Sequence, residues 1–211
     1  MTYFYFLLFS CILLFSSCVK GLEEDADEPL LEEEPTQLMN LLTNGSCEKW
    51  AATSYLSGWS MVENKESVFQ EDEITYEGLY SAKLCSPQKG ITAFISQKVH
   101  VAPGHRIRIC HHYLMKYLSG NGAKMYCYFR ESGSTNISNS TLDTFYDDNT
   151  LKIIRGGGYG IAQFSDTAGE WQSFDYTIRV PAIANYFVFE IHSYAGTVFY
   201  VDDCYVIDID I

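Results

Sequence analysis

The feature that most constrains the fold is an alternation of apolar and polar residues with a period of two, which recurs along the chain after residue 40. It is clearest in three segments, residues 105–114 (HRIRICHHYL), 124–130 (KMYCYFR) and 186–192 (YFVFEIH). Successive side chains of an extended strand point to opposite faces, so one parity can face a core and the other solvent. No stretch keeps apolar spacing at i, i+3, i+4 and i+7 for long. The pattern therefore predicts strands.

Turn-forming residues separate the strands at Pro87–Gly90, Pro103-Gly104, Ser119–Gly122, Gly156–Gly160 and Ala168-Gly169. Further strands are predicted at residues 79–85, 93–101, 161–165, 173–180 and 197–206. Eight or nine short strands with such turns predict an all-β fold, an antiparallel β-sandwich. Residues 131–160, rich in Ser, Thr, Asn and Gly, interrupt the pattern and predict a functional or mobile loop, or a short extra hairpin.

Composition excludes a disordered chain and a coiled coil, and the charge balance argues against a nucleic-acid partner. Hydrophobic residues make up 47% of the 211 residues, which is too many for a disordered chain, and the charged fraction of 19% is too low for a coiled coil. The net charge is −13, with 14 Lys and Arg against 27 Asp and Glu. Binding to phosphate backbones needs clustered basic residues, so a nucleic-acid partner is not expected.

The first 17 residues predict a signal peptide. Residues 4–17 (FYFLLFSCILLFSS) form an uncharged apolar run that is shorter than the ~20 residues of a membrane span. Small residues followed by Cys18 resemble a bacterial lipobox, in which the signal is removed and the cysteine becomes acylated. The resemblance implies lipidation of Cys18. The alternative is an ordinary signal peptide cut near Ser17.

Residues 18–39 predict a solvated acidic tether, because they hold one lysine and eight acidic residues. Cys18, then Lys20, then an acidic run resembles the surface-export signals of lipoproteins in some Gram-negative bacteria. This resemblance implies an outer-membrane lipoprotein exposed on the cell surface, anchored through its lipid alone. A plain spacer is the alternative. The folded domain is predicted to be residues 40–211.

The domain has an ordered series of short motifs. They are NLLTNGSCEKW (Asn40–Trp50), EGLYSAKL (Glu77–Leu84), ISQKVHVAPG (Ile95–Gly104), EWQSFDYTIRVP (Glu170–Pro181) and VFYVDDCYV (Val198–Val206). In this order they resemble the jelly-roll carbohydrate-binding modules of the galactose-binding-like superfamily. Two departures stand out, since Cys47 replaces an aromatic residue and Cys204 an aliphatic one. The resemblance implies a jelly-roll sandwich that binds a polysaccharide or oligosaccharide without catalysis.

The same resemblance implies one structural calcium ion between the N-terminal segment and the last strand. The ligands that it implies are Glu48, backbone oxygens near Gly78, and Asp202 or Asp203. Calcium takes six to eight oxygen ligands, and paired acidic residues at a strand end are suited to supply some. The alternative is that Asp202 and Asp203 face solvent or cap an edge.

Five cysteines follow the predicted acylation site, at positions 47, 85, 110, 127 and 204. No CxxC spacing occurs, so a zinc site is not supported. Cys110 and Cys127 are candidates for pairing if their strands are neighbours, and inert buried thiols are the alternative.

A binding face follows from strand parity. If the apolar parity of the three alternating segments faces the core and the three strands share one sheet, the other parity forms one exposed face. That face would gather Arg108, His112, Tyr126, Tyr128, Arg130, Glu190 and His192. Flat aromatic rings stack on the C–H faces of sugars, and a few polar groups fix orientation, so this mixture suits a glycan. The alternative is an ordinary solvated sheet face.

No arrangement of residues indicates catalysis. A glycosidase needs two facing carboxylates, whereas the adjacent pairs Asp147-Asp148 and Asp202-Asp203 would point to opposite faces of a strand. The sequence therefore predicts a non-catalytic module that captures glycan at the bacterial surface. The alternative is an adhesion or assembly module that binds protein partners through the same aromatic face.

Overall fold

A computed structural model describes residues 38–61, 67–86, 91–117, 122–132, 135–142, 144, 162–164 and 169–211. The signal peptide, Cys18, nearly all of the acidic tether and most of the 131–160 loop lie outside the described residues. The strands are β1 (Trp50–Ala52), β2 (Tyr55–Leu56), β3 (Val68–Glu71), β4 (Ser81–Cys85), β5 (Ala93–His100) and β6 (Arg106–Tyr117). They continue as β7 (Ala123–Ser132), β8 (Thr135–Asn136), β9 (Ala162–Phe164), β10 (Gln172–Arg179), β11 (Tyr186–Ser193) and β12 (Val198–Asp208). One short helix, α1 (Asn139–Leu142), follows β8.

The strands form two antiparallel sheets and a small β1–β2 hairpin. Sheet I has the order β10-β6-β12-β4-β3, and sheet II has the order β5-β11-β7-β8, with β9 also paired to β7. The predicted all-β antiparallel sandwich is confirmed. Among the described residues, eight strands have four or more residues, and the shorter ones are the β1–β2 hairpin and the strands β8 and β9 beside β7.

The core lies between the two sheets, as the alternation predicts. Ile107 and Ile109 of sheet I, and Met125, Phe187 and Phe189 of sheet II, are all fully buried. Each such side chain contributes about 1.5–3 kcal/mol relative to its exposed state. The opposite parity of the same strands therefore forms the two outward faces of the sandwich.

The N-terminal segment is fastened to the last strand. Asn40 forms a bridge with Ile207, and its side-chain amide donates to the Cys204 carbonyl at 2.9 Å. Leu41 N–H donates to the Val206 carbonyl at 2.8 Å. These contacts hold residues 40 and 41 against β12.

The cysteine pairing considered for Cys110 and Cys127 is wrong. The two residues lie on strands of different sheets, β6 and β7, because the chain crosses the sandwich between these strands. Cys127 faces the core, whereas Cys110 lies beside Tyr205 of β12 in sheet I.

Candidate glycan-binding face

The outward side of sheet II carries rows of side chains at matched register. Glu190 of β11 lies between Tyr126 of β7 and Ser96 of β5, and His192 lies between Lys124 and Phe94. We call this surface, made by β5, β11 and β7, the sheet II face. It brings together five of the predicted site residues: Tyr126, Tyr128, Arg130, Glu190 and His192.

Two tyrosines form the aromatic part of the face. The rings of Tyr126 and Tyr128 are nearly parallel, at 11°, with centroids 6.2 Å apart. Tyr126 is only 9% exposed, and its hydroxyl lies 2.5 Å from the hydroxyl of Tyr194. Burial and the neighbouring Glu190 raise the pKa of Tyr128 to about 12. Tyr128 therefore stays neutral at pH 7. Tyr126, because it is almost completely buried, supports the surface from beneath.

A carboxylate and an imidazole form the polar part. Glu190 Oε1 lies 2.6 Å from His192 Nε2, and both side chains are largely buried. The His192 ring stacks on Phe94 with centroids 5.0 Å apart and contacts Tyr126 at 4.5 Å. These contacts fix the imidazole and leave the carboxylate one oxygen for a further hydrogen bond.

The end of the sheet II face at which Tyr186 lies opposite Arg130 is basic and aromatic. Arg130 donates from Nε to the side-chain oxygen of Asn136 at 2.8 Å and lies opposite Tyr186 in the register. Lys98 Nζ lies 4.8 Å from the centroid of the Tyr186 ring. Planar and cationic donors at this end suit a ligand rich in hydroxyl oxygens.

The predicted placement of Arg108 and His112 on this same face is wrong. Both belong to β6, which pairs with β10 and β12 in sheet I, so they lie on the opposite side of the sandwich. Arg108 makes a bidentate ion pair with Asp175. His112 stacks on Tyr76 with centroids 3.6 Å apart. Alternation assigns a residue to one side of its strand but does not say which sheet the strand joins.

Sequence reasoning missed Phe94 and Tyr194. Phe94 lies outward on β5, and it could have been found from the alternation of residues 93–101 if the pairing of β5 with β11 had been known. Tyr194 directly follows β11, and its ring also lies near Lys124, with Nζ 5.7 Å from the centroid. No motif marks either residue.

The acidic residues predicted to bind calcium are used to hold a neighbouring segment. Glu48 Oε1 accepts hydrogen bonds from the backbone N–H groups of Leu79 and Tyr80, at 2.9 and 3.1 Å. Asp202 is fully buried, and its Oδ2 accepts from the N–H groups of Tyr76 and Glu77, at 3.0 and 3.3 Å. Burial raises the pKa of Asp202 to about 6, although these backbone donors oppose the shift.

This arrangement does not fit a calcium ion as it stands. Calcium needs carboxylate and carbonyl oxygens turned toward one point, whereas these oxygens point at N–H donors. Asp203 Oδ2 lies 3.2 Å from His112 Nδ1. In the part of the chain that the structure describes, no three His, Cys, Asp or Glu side chains cluster as metal ligands do.

Gly78 gives a direct test of the Glu48 contact. Its φ is +67°, and a Cβ added there would lie 2.1 Å from Glu48 Oε1. Gly78→Ala is expected to destabilise the fold by about 2 kcal/mol or more, from backbone strain and the displaced carboxylate. Gly104→Ala is the matched control, because φ is +80° there and no atom of the described residues beyond its chain neighbours lies within 4 Å of the added Cβ. Urea unfolding should show a clearly smaller loss for the control, and equal losses would contradict a structural role for Glu48.

Solved structures with this fold include carbohydrate-binding modules. A family 16 carbohydrate-binding module superposes with a TM-score of 0.54 and 19% identity, covering 80% of this chain and 100% of that one. A family 61 module in complex with β-1,4-galactotriose has a TM-score of 0.50 and 17% identity, over 81% of this chain and 99% of that one. The likeness to carbohydrate-binding modules predicted from the sequence is thus confirmed at the level of the fold.

A third similar structure belongs to a larger protein. It is the enzymatically active domain of tailspike protein 4 of bacteriophage CBA120, with a TM-score of 0.55 and 13% identity over 79% of this chain. This chain spans only 21% of it. No protein-family profile and no curated protein sequence matches the chain. Within the described residues, no helix has the length and apolar composition needed to span a bilayer.

Proposed function

We propose that this protein is a non-catalytic carbohydrate-binding module whose ligand lies across the sheet II face. The observation that carries the proposal is the fixed group of Tyr128, Glu190, His192 and Phe94 on adjacent strands of one sheet. The likeness in fold to carbohydrate-binding modules supports it.

Binding follows from what the side chains offer. The partly exposed rings supply flat apolar surface for the C–H face of a pyranose, and the Glu190 carboxylate accepts hydrogen bonds from sugar hydroxyls. The ring of His192 is held by Phe94, Tyr126 and Glu190, so little side-chain entropy is lost on binding.

The absence of catalysis is part of the proposal. Glycoside hydrolysis needs an acid and a second carboxylate flanking one bond, about 5–9.5 Å apart. On the sheet II face, the partner of Glu190 is the His192 imidazole and not a second carboxylate. Asp202 belongs to sheet I, where its carboxylate is buried and accepts hydrogen bonds from the backbone of residues 76 and 77. We expect no release of reducing sugar from any polysaccharide that the protein retains.

Affinity electrophoresis through gels with embedded polysaccharides tests the proposal. We expect retardation by one polysaccharide class, and competition by the matching free oligosaccharide. Retention by a protein partner that is indifferent to oligosaccharides would instead favour an adhesion or assembly module acting through the same face. Migration unchanged in every gel, from folded protein, would overturn the glycan proposal.

We also propose that the domain is displayed on the outer surface of a bacterial cell, with acylated Cys18 as its only membrane anchor. The apolar run, Cys18 and the acidic residues after it support this placement. Incorporation of radiolabelled palmitate that is lost in Cys18→Ala, and digestion by protease added to intact cells, would agree with it. Unlabelled wild-type protein would contradict it.

Structural calcium stays a prediction. If an ion replaces the N–H contacts of Glu48 and Asp202, chelation should lower Tm by about 5–10 °C at calcium concentrations well above Kd. Elemental analysis of purified protein and melts with and without EGTA give the answer. Metal-free protein with the same Tm in both buffers would contradict calcium binding.

A further inference from the structure

The two residues that depart from the carbohydrate-binding pattern lie together in the fold. Cys47 is in the turn that follows Asn44, and Cys204 is in β12, 157 residues later. Both side chains are buried, at 0% and 1% exposure. Their backbones are close as well, because Cys204 N–H donates to the Gly45 carbonyl at 2.9 Å. A Cβ added at Gly45 would lie 2.0 Å from the Cys204 carbonyl oxygen, so the two segments touch.

The two thiols are both buried beside backbone carbonyl groups. The side chains of Cys47 and Cys204 are close enough to interact with each other. The sulfur of Cys47 also lies 3.7 Å from the Gly45 carbonyl oxygen and 3.9 Å from that of Val201. The sulfur of Cys204 lies 3.9 Å from the Asp202 carbonyl oxygen. The other buried cysteines have different surroundings, since Cys110 lies opposite Tyr205 in the strand register and Cys127 packs in the core.

We propose that Cys47 and Cys204 form a disulfide in the exported protein, covalently joining the N-terminal segment to the last strand. The oxidant is a disulfide carrier of the export compartment. In two exchange steps the two thiols give up two protons and two electrons, one S–S bond forms in the chain, and the carrier's S–S bond breaks to give two carrier thiols. The apolar run of residues 4–17 predicts export, and disulfides form in the oxidising compartments to which exported proteins are delivered.

The timing of the reaction follows from burial. Both thiols are buried once the domain is folded, so a disulfide carrier in solution no longer reaches them. The bond therefore forms while the N-terminal segment is still docking on β12. Protein that folds in a reducing compartment keeps both thiols, shielded from reagents in solution.

The disulfide lies next to the carboxylate contacts that hold residues 76–80. Cys47 precedes Glu48, and Cys204 lies two residues after Asp202; these two carboxylates hold the backbone of residues 76–80. A covalent link here closes a loop of more than 150 residues, for which the chain-entropy model gives one of the larger stabilisations. We expect Tm of oxidised protein to exceed that of reduced protein by about 5–15 °C.

Peptide mapping tests the proposal. The protein is produced by export to an oxidising compartment, free thiols are alkylated in denaturant, and the digest is analysed without reduction. We expect one linked species that joins the peptides of Cys47 and Cys204, with Cys85, Cys110 and Cys127 alkylated. Alkylated Cys47 and Cys204 in folded, exported protein would overturn the proposal, as would a link to any other cysteine.

A matched pair of variants separates the bond from general effects of cysteine removal. In the double variant Cys47→Ala/Cys204→Ala, Tm should no longer respond to reductant, whereas Cys85→Ala should keep the full response. If the double variant does not fold, the mapping of wild-type protein still decides, because it needs no substitution. A reductant-dependent Tm in a folded double variant would contradict the assignment.

Discussion

Replacement of Tyr128 by alanine is expected to weaken glycan retention roughly tenfold or more while leaving the fold intact. Tyr128 lies on the outward parity of β7, opposite Val188, and its ring is nearly parallel to that of Tyr126. Its removal takes away part of the flat apolar surface on which a sugar ring would stack. The core is not opened, because the buried side of β7 is formed by Met125, Cys127 and Phe129.

Tyr205→Ala is the matched control for this experiment. Tyr205 is a half-buried outward tyrosine on sheet I, with the Arg108 guanidinium 5.7 Å from its ring centroid. The substitution removes the same atoms from the other side of the sandwich, so retention in affinity gels should be unchanged. Loss of retention in Tyr205→Ala with normal retention in Tyr128→Ala would move the binding site to sheet I and overturn the sheet II assignment.

The division between the two sheets marks the limit of what the sequence could predict. Alternation correctly identified the core-facing side chains, since Ile107, Met125 and Phe189 are all buried. It could not assign strands to sheets, because a strand shows the same period of two whichever neighbour it bonds. Arg108 and Tyr126 were therefore expected on one face, although their strands lie in opposite sheets.

Short strands were the other gap in the sequence prediction. The edge strand β3 (Val68–Glu71) has four residues, too few for alternation to be distinguished from chance. The β1–β2 hairpin is shorter still, and it forms only because tertiary contacts hold it. Phe94 shows the same dependence on context, because its place beside His192 follows from the pairing of β5 with β11, which no local motif encodes.

The core contains a polar residue whose effect on stability should be large. His111 lies on the inward side of β6 and is fully buried. Aromatic rings surround it, those of Tyr113, Phe164, Phe174 and Phe189, with centroids 5.3–5.9 Å away. Among the residues that the structure describes, neither ring nitrogen of His111 has a hydrogen-bond partner. Burial, with a smaller contribution from His112, lowers the pKa of His111 to about 3.

The sign of the resulting pH dependence follows from linkage. In the unfolded chain His111 has a pKa near 6.5, so between about pH 6.5 and 3 the unfolded state binds a proton that the folded state does not. The contribution of His111 to stability is complete above pH 6.5 and falls as the pH drops below it. At pH 5 this contribution should be about 2 kcal/mol smaller than at pH 7.5.

His111→Leu should abolish this acid sensitivity and raise stability at pH 5 by about 2 kcal/mol or more, because leucine has a similar volume and leaves no nitrogen unpaired. Urea unfolding at pH 5 and 7.5 measures both effects. His100→Leu is the control, because His100 is exposed on the edge strand β5, and its removal should leave the pH dependence of wild type. Equal acid sensitivity in wild type and His111→Leu would show that His111 is not the group whose protonation opposes folding.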